Sequence, residues 1–436
     1  MIGIEEFSQR RLELMRMAGK NAAIVLAAAP QRLRNSDAPW PYRQDSDFHY
    51  LSGFPESEAV LALLPGRPQA ECVLFCRERE QPDEPWRGER VGTARAVTEF
   101  GLNDAFPIDD IDDILPGLLE GRERLYCHFG REPEFDAHLL TWMRRLHDAR
   151  GGGVVPRELM SLGYLLDELR LFKSRSELKL LRRAAQLAVA AHRAAYAVAQ
   201  PGRFEYAVEA ELLRSMRAAD AVPCYPPTVA TGKNACILHY VDNHARLVRG
   251  DLLLIDAGAE WHYYASDIAR TIPVDGHFTG VQRELYDIVQ AAQTEAINMV
   301  RPGKDWDSVH GAAARVITEG LCALGLLQGD SRAALESEAY QRYFMHKTGH
   351  WLGLDVHDAG DYRIDGQPRV LETGMVLAVE PGIYIPPDDI TVPAAYRGIG
   401  IRIEDVVVVT TSDPEVLSAD LPTAAEQVEH MLAARS

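Results

Sequence analysis

Leu252-Leu253-Leu254-Ile255-Asp256-Ala257-Gly258 is a run of four aliphatic residues that ends in an acid and then in two small residues. A buried strand of that composition carries the carboxylate of Asp256 to its polar mouth, where the chain turns. Asp267 follows in Tyr264-Ala265-Ser266-Asp267-Ile268-Ala269-Arg270-Thr271. Strand-like sequence over 263–272 predicts an antiparallel hairpin with 251–256 that puts both acids on one face. Taken alone, the pair also fits two strand-end aspartates, one of them neutralised by Arg270.

Three further segments extend the pattern. His346-Lys347-Thr348-Gly349-His350-Trp351-Leu352-Gly353-Leu354-Asp355-Val356-His357 holds three of the chain's 14 histidines. The spacing of His346 and His350 is that of a single-zinc metalloprotease helix. Lys347 replaces the glutamate such a helix needs, and Gly349 disfavours a helix there, so that reading is rejected. A glycine-rich segment presenting His350 to a cation, with His357 nearby as an acid or hydrogen-bond donor, fits better. Glu380 closes the apolar run Met375–Val379 and precedes Pro381-Gly382, so the chain turns at the acid; a buried charge there calls for a cationic partner. In Gly398-Ile399-Gly400-Ile401-Arg402-Ile403-Glu404-Asp405-Val406, strand alternation puts Arg402 and Glu404 on one face and Ile401, Ile403 and Asp405 on the other. Singly, these are also readable as solvated strand-end acids and ordinary histidines. Together, Asp256, Asp267, His350, Glu380 and Glu404 form a set of four carboxylates and one imidazole. Hard oxygen donors in that ratio suit a pair of divalent cations such as Mn²⁺, Co²⁺ or Mg²⁺. Such a pair activates water at neutral pH. The Asp256/Asp267 and Glu380/Glu404 pairs suggest two related hairpins that converge on one point. His239, ending the run Asn234–Leu238, is placed to line the same cleft or simply to end a strand.

The rest of the chain sets bounds. It has 436 residues, with 46 basic against 64 acidic side chains, for a net charge of −18. That balance disfavours nucleic acid and anionic membrane as partners and suits metals and substrate amines. The six cysteines show no CxxC spacing and read as reduced, packed thiols. The amphipathic start has no signal-peptide core, and no apolar run reaches a membrane span, so a cytoplasmic address is expected. In the first part, strand-like runs at 23–29, 59–64 and 72–76 interleave with helical sequence at 7–17 and 116–120, which predicts an α/β domain over residues 1–172. Gly151-Gly152-Gly153 reads as a loop. Ser174 followed by Glu177 is a capping-box pattern that opens a helix to about residue 200 and starts an α+β domain over 173–436. Further helices are expected at 204–218, 279–300 and 306–324, and strands at 251–256, 375–380 and 399–410.

The motifs IDAG (255–258), SDIARTIPV (266–274), GHWLGLDVHD (349–358), VEPGIY (379–384) and YRGIGIRIED (396–405), with PYRQDSDF (41–48) and Gly53-Phe54, resemble the pita-bread metallopeptidases. Within them the chain looks most like the Xaa-Pro aminopeptidases, also called aminopeptidase P. The resemblance covers essentially the whole chain. It implies a creatinase/methionine-aminopeptidase-like catalytic fold and two metal ions, Mn²⁺ foremost. Asp256 would bind one ion, Asp267 and Glu404 would bridge both, and His350 and Glu380 would complete the other. His239 and His357 would hydrogen-bond substrate, His346 would line its site, and Glu380 would also pass on a proton. Tyr384, Arg402 and Asp37 resemble a supporting network, and Trp86 resembles an aromatic lent by a neighbouring subunit. The implied substrates are peptides with proline at position two, and the implied assembly is a dimer or tetramer of this chain. Lys347, where some relatives carry glycine, bears on side-pocket preference. A prolidase, which cleaves only dipeptides, is the alternative. A methionine aminopeptidase generally lacks such a first domain, and a metal-free creatinase-like hydrolase or a binding module would not keep all five ligands.

Overall fold

The computed structural model describes residues 1–79, 84–148 and 154–433; Gly151-Gly152-Gly153 lie outside the described residues. The chain divides into two compact units, Met1–Leu169 and Arg170–Ser436.

The first unit is built on a six-stranded mixed sheet. Its strands are β1 (Ala22–Ala27), β2 (Val60–Leu63), β3 (Cys72–Cys76), β4 (Asp104–Pro107), β5 (Arg124–Cys127) and β6 (Glu158–Ser161), in the order β4-β3-β2-β1-β5-β6. β1 pairs antiparallel with β2 and parallel with β5. Helices on such a sheet bury both faces of its inner strands, which is why β1, β2 and β3 read as unbroken apolar runs. α1 (Ile4–Ala18) buries Phe7, Arg11, Leu14, Met15 and Ala18, a helical stripe. The expected helix at 116–120 is the end of the longer α2 (Ile111–Leu119), where Pro116 sits inside the helix.

The second unit places helices against short antiparallel sheets. α3 (Arg175–Val198) opens at Ser174 with both bonds of the expected capping box formed, and α4 (Glu205–Ala218) follows. β7 (Thr228–Thr231), β8 (Leu252–Asp256) and β9 (Ala269–Pro273) form one antiparallel sheet in the order β7-β8-β9. α5 (Gly280–Asn298) and α6 (Trp306–Ala323) come next, the first capped by Thr279. The second sheet joins β10 (Gly349–Trp351), β11 (Val376–Val379), β12 (Asp405–Val408) and β13 (Glu415–Val416) in that order. Leu285, Val289 and Ala296 of α5, Ile317 and Leu321 of α6, and Leu377 and Val407 of the sheet share one buried core. That packing holds the polar ends of β10, β11 and β12 in a fixed relation.

Two expectations about strands are corrected. Residues 263–268 are not strand. His262 and Tyr263 have positive φ, and Ala265 gives its N–H to Gly353 rather than to a ladder partner. The expected strand at 399–410 is two strands, Gly400–Arg402 and β12, broken at Ile403-Glu404. The first pairs with Gly382–Tyr384 and the second with β11, so the chain changes sheets at Glu404. The alternation of faces survives the break. Arg402 and Glu404 line one cavity, while Asp405 turns away to Arg270.

Candidate metal centre

A cavity of about 310 Å³ in the second unit is lined by Asp256, Asp267, His350, Glu380 and Glu404 together with His239, His346, His357, Arg402 and Tyr225. Backbone register explains the convergence. Asp256 ends β8 opposite Ala269, and Asp267 lies two residues before that partner. Glu380 follows β11 and Glu404 precedes β12, whose pairing sets Val379 opposite Asp405. The Glu404 N–H donates to Ala269 O at 2.9 Å, which ties the two sheets together at the acids. Glycines permit the close approach. A Cβ on Gly258 would meet Ser266 O at 1.8 Å, and one on Gly349 would meet Ala378 O at 2.0 Å.

Donor atoms of Asp267, His350 and Glu404 lie within 4.8 Å of one another, a spacing that suits one ion. His350 Nε2 is 3.4 Å from Asp267 Oδ2 and 3.9 Å from Glu380 Oε1. Its Nδ1 is 3.0 Å from Trp351 O, and a carbonyl can only accept, so Nδ1 carries the proton and Nε2 is turned toward the acids. Asp256 accepts from Arg402, which also donates to Tyr384 OH at 2.7 Å and to Leu238 O at 3.1 Å. Tyr384 lies behind the cavity wall and holds His346 Nε2 at 3.0 Å. His357 packs edge-on to His350 with ring centres 4.3 Å apart. Lys347 is exposed and is not part of the cavity lining.

Electrostatics show what this set lacks. Burial pushes the Glu404 carboxyl well above the usual range, and Asp267, Asp256 and Glu380 add to the push. Burial raises Asp256 as well, against the pull of Arg402. Burial lifts Glu380 to about 7 despite Arg402 and His350. Burial opposes charge on His350, but the bond and charge of Asp267, with Glu380, outweigh it and lift the imidazole to about 9. His346 is driven down to about 3 by burial and by Arg402. Four crowded acids with one fixed guanidinium among them are a donor set short of positive charge. Hard divalent cations fit it.

A pH dependence follows. The protonated forms of Glu380 and His350 stabilise the metal-free fold fully below their ordinary values of 4.5 and 6.5, and that support is lost as pH rises through about 7 and about 9. A cation needs the carboxylate ionised and the imidazole neutral, so its affinity moves the opposite way. Mn²⁺ binding is expected to tighten across that window and to release protons. Calorimetry in two buffers of different ionisation enthalpy reads both effects; an affinity indifferent to pH would contradict this balance.

Two site residues suggested by the resemblance belong to the chain's first unit. Asp37 is exposed in the turn between the short strands Leu33–Asn35 and Ala38–Pro39, and Trp86, 88% exposed, sits in the helical turn Glu84–Arg87. The sequence reading missed Tyr225, whose hydroxyl bonds to both Asp256 and Asp267. Its only signal is the polar tip of an aromatic in Cys224-Tyr225-Pro226-Pro227. Arg270, read as a possible partner of a metal-type aspartate, pairs instead with Asp405 at 2.7 Å.

Residues 179–411 match metallopeptidase family M24, and residues 7–126 match the aminopeptidase P N-terminal domain. The chain is 40% identical to the Xaa-Pro aminopeptidase of Haemophilus influenzae, covering 98% of this chain and 97% of the relative. It superposes on aminopeptidase PepP of Pseudomonas aeruginosa with a TM-score of 0.98 at 50% identity, covering 100% and 99% of the two chains. Zinc-substituted Escherichia coli aminopeptidase P in complex with product gives a TM-score of 0.97 at 40% identity, covering 100% and 99%.

Proposed function

The chain belongs to metallopeptidase family M24, and from that premise we propose that Asp256, Asp267, His350, Glu380 and Glu404 together hold two divalent metal ions, Mn²⁺ foremost. Its fold is the pita-bread fold behind an aminopeptidase P N-terminal domain. It is a metallo-aminopeptidase that hydrolyses the bond between an N-terminal residue and a following proline. The prolidase alternative is not favoured, because the relatives matched over the full chain are Xaa-Pro aminopeptidases. The observation that carries the reading is the convergence of four acids and His350 on one cavity.

When bound, two such ions acidify a water and polarise the scissile carbonyl. The protein's own residues then bind, orient and move protons. Glu380, a carboxylate on the cavity lining, is placed to take the proton of the attacking water and return it to the leaving proline nitrogen. His239 and His357, on the cavity lining, donate hydrogen bonds to substrate near the scissile bond. Burial, with His350 beside it, lowers the His357 pKa, which favours a neutral ring. His346 is neutral and fixed by Tyr384, so it shapes the wall without adding charge. Arg402 aligns Asp256 and holds Tyr384. The bond before proline is a tertiary amide with no N–H, which general peptidases cannot seat in a strand ladder. A cavity that instead grips the free amino end suits it, and the acid-rich lining favours that cation.

Asp37 is proposed to support this network and Trp86 to serve a neighbouring subunit's site in a homo-oligomer. The domain boundary is placed at residues 172/173 and the address in the cytoplasm. No helix among the described residues is long and apolar enough to cross a membrane. The test is hydrolysis of a Gly-Pro-Ala tripeptide and of an X-Pro dipeptide after chelation, with and without added Mn²⁺. Metal-dependent release of glycine from the tripeptide is expected. Cleavage of the dipeptide alone would return the prolidase, and no cleavage with any metal would end the catalytic reading.

A further inference from the structure

His310, on α6 and outside the cavity lining, belongs to no motif in the chain and to none of the roles above. Its imidazole is the only link from α6 to the polar side chain of the segment between His346 and His350 among the described hydrogen bonds. Nδ1 lies 2.8 Å from Thr348 Oγ1, and Nε2 lies 3.2 Å from Tyr340 OH. Thr348 is 1% exposed and sits midway between His346 and His350. Its carbonyl accepts the N–H of Glu380 at 2.7 Å, the first bond beyond the β10–β11 ladder, in which His350 stands opposite Ala378. A single residue therefore has His350 two positions after it and Glu380 on its own carbonyl. The side chain that restrains this residue is His310. The ring is also clamped, 5.6 Å from Phe344, which in turn meets His346 edge-on at 5.0 Å. Burial, helped by Lys347, lowers the His310 pKa to about 4, so a neutral ring makes these bonds.

We propose that His310 is a positioning residue for the metal centre: through Thr348 it fixes the relative placement of His350 and Glu380, and thereby sets affinity for the ion those two share. The proposal rests on the assignment of His350 and Glu380 as ligands made above. Geometry supports a local effect. Asp256 ends β8, Asp267 lies two residues before β9 and Glu404 directly precedes β12, and no described hydrogen bond joins any of the three to His310 or Thr348. Loss of that bond should weaken one ion and spare the other. Hydrogen-bond partners that orient metal ligands typically matter by about 10–100-fold in affinity.

The test is Mn²⁺ titration of the full chain by calorimetry, with melting temperature and tripeptide hydrolysis measured alongside. Thr348→Val removes the hydroxyl at nearly constant shape, Thr348→Ser keeps it, and His310→Ala removes the ring. The expected result is that Thr348→Val and His310→Ala each weaken one of two Mn²⁺ sites by about 10-fold or more. The other site stays within about threefold of wild type, Thr348→Ser stays close to wild type, and kcat recovers at saturating Mn²⁺. The double variant should be no worse than either single one, because both remove the same link. If His310→Ala fails to fold, Thr348→Val against Thr348→Ser decides alone. Wild-type affinity at both sites in well-folded Thr348→Val, equal weakening of both sites, or a Thr348→Ser variant as weak as Thr348→Val would each overturn the proposal. Failure of the underlying reading looks different, since wild type itself would then bind no Mn²⁺.

Discussion

Glu404→Gln is expected to remove nearly all peptidase activity while leaving the chelated protein at least as stable as wild type. Glu404 is 1% exposed, and its carboxyl is pushed far up by burial and by Asp267, Asp256 and Glu380. In the metal-free chain an ionised Glu404 is therefore a cost, and an amide of the same shape relieves it. With metal the sign reverses, because an amide oxygen carries no charge to share with the cation. Losing several kcal/mol of Lewis-acid stabilisation lowers kcat/KM on the order of a thousandfold. Melting with and without Mn²⁺ after chelation checks the pair of signs. A variant that stayed active within tenfold, or that melted well below wild type under chelation, would remove Glu404 from the metal centre.

Arg402→Ala carries the second large effect. Among the described residues Arg402 is the only lysine or arginine lining the cavity, and its guanidinium spans Asp256, Tyr384 and the Leu238 carbonyl. Removing one partner of a buried ion pair leaves an uncompensated charge and costs about 3–5 kcal/mol. That loss should appear in urea unfolding of the chelated protein and shrink when Mn²⁺ is present, since bound cations take over part of the compensation. Arg402→Lys is expected to recover little, because a point charge cannot reach three partners in one plane. A loss below about 1 kcal/mol in the chelated protein, against the usual cost of an unpaired buried charge, would show that another group balances the acids. Activity should fall with the alignment of Asp256 even where Mn²⁺ restores stability.

Much of the candidate centre is legible in the chain because three of its proposed ligands stand at strand ends, and strand ends announce themselves. Asp256 closes four aliphatic residues, Glu380 closes another apolar run before Pro-Gly, and Glu404 keeps its face by alternation. Those are short-range signals that survive even where the predicted strand breaks, as it does at Ile403-Glu404. The capping box at Ser174 was legible for the same reason, being complete within four residues.

What could not be read locally is which side chains serve the ligands from afar. Tyr225 reaches Asp256 and Asp267 from the loop before β7, Arg270 crosses to Asp405, and His310 meets Thr348 from α6. None of these pairs has a spacing that a helix or hairpin period would flag. Local sequence signals point to the candidate ligand residues, to a divalent cation and to most of the helices and strands around them. They do so because burial patterns and turn residues act over a few positions. Long-range packing settles that two sheets meet at Glu404, that Arg402 rather than Arg270 balances Asp256, and that α6 bonds to the His350 segment. Those outcomes depend on register and on the packing of elements more than a hundred residues apart in some cases, where partner choice is settled by the cost of leaving a buried polar group unpaired.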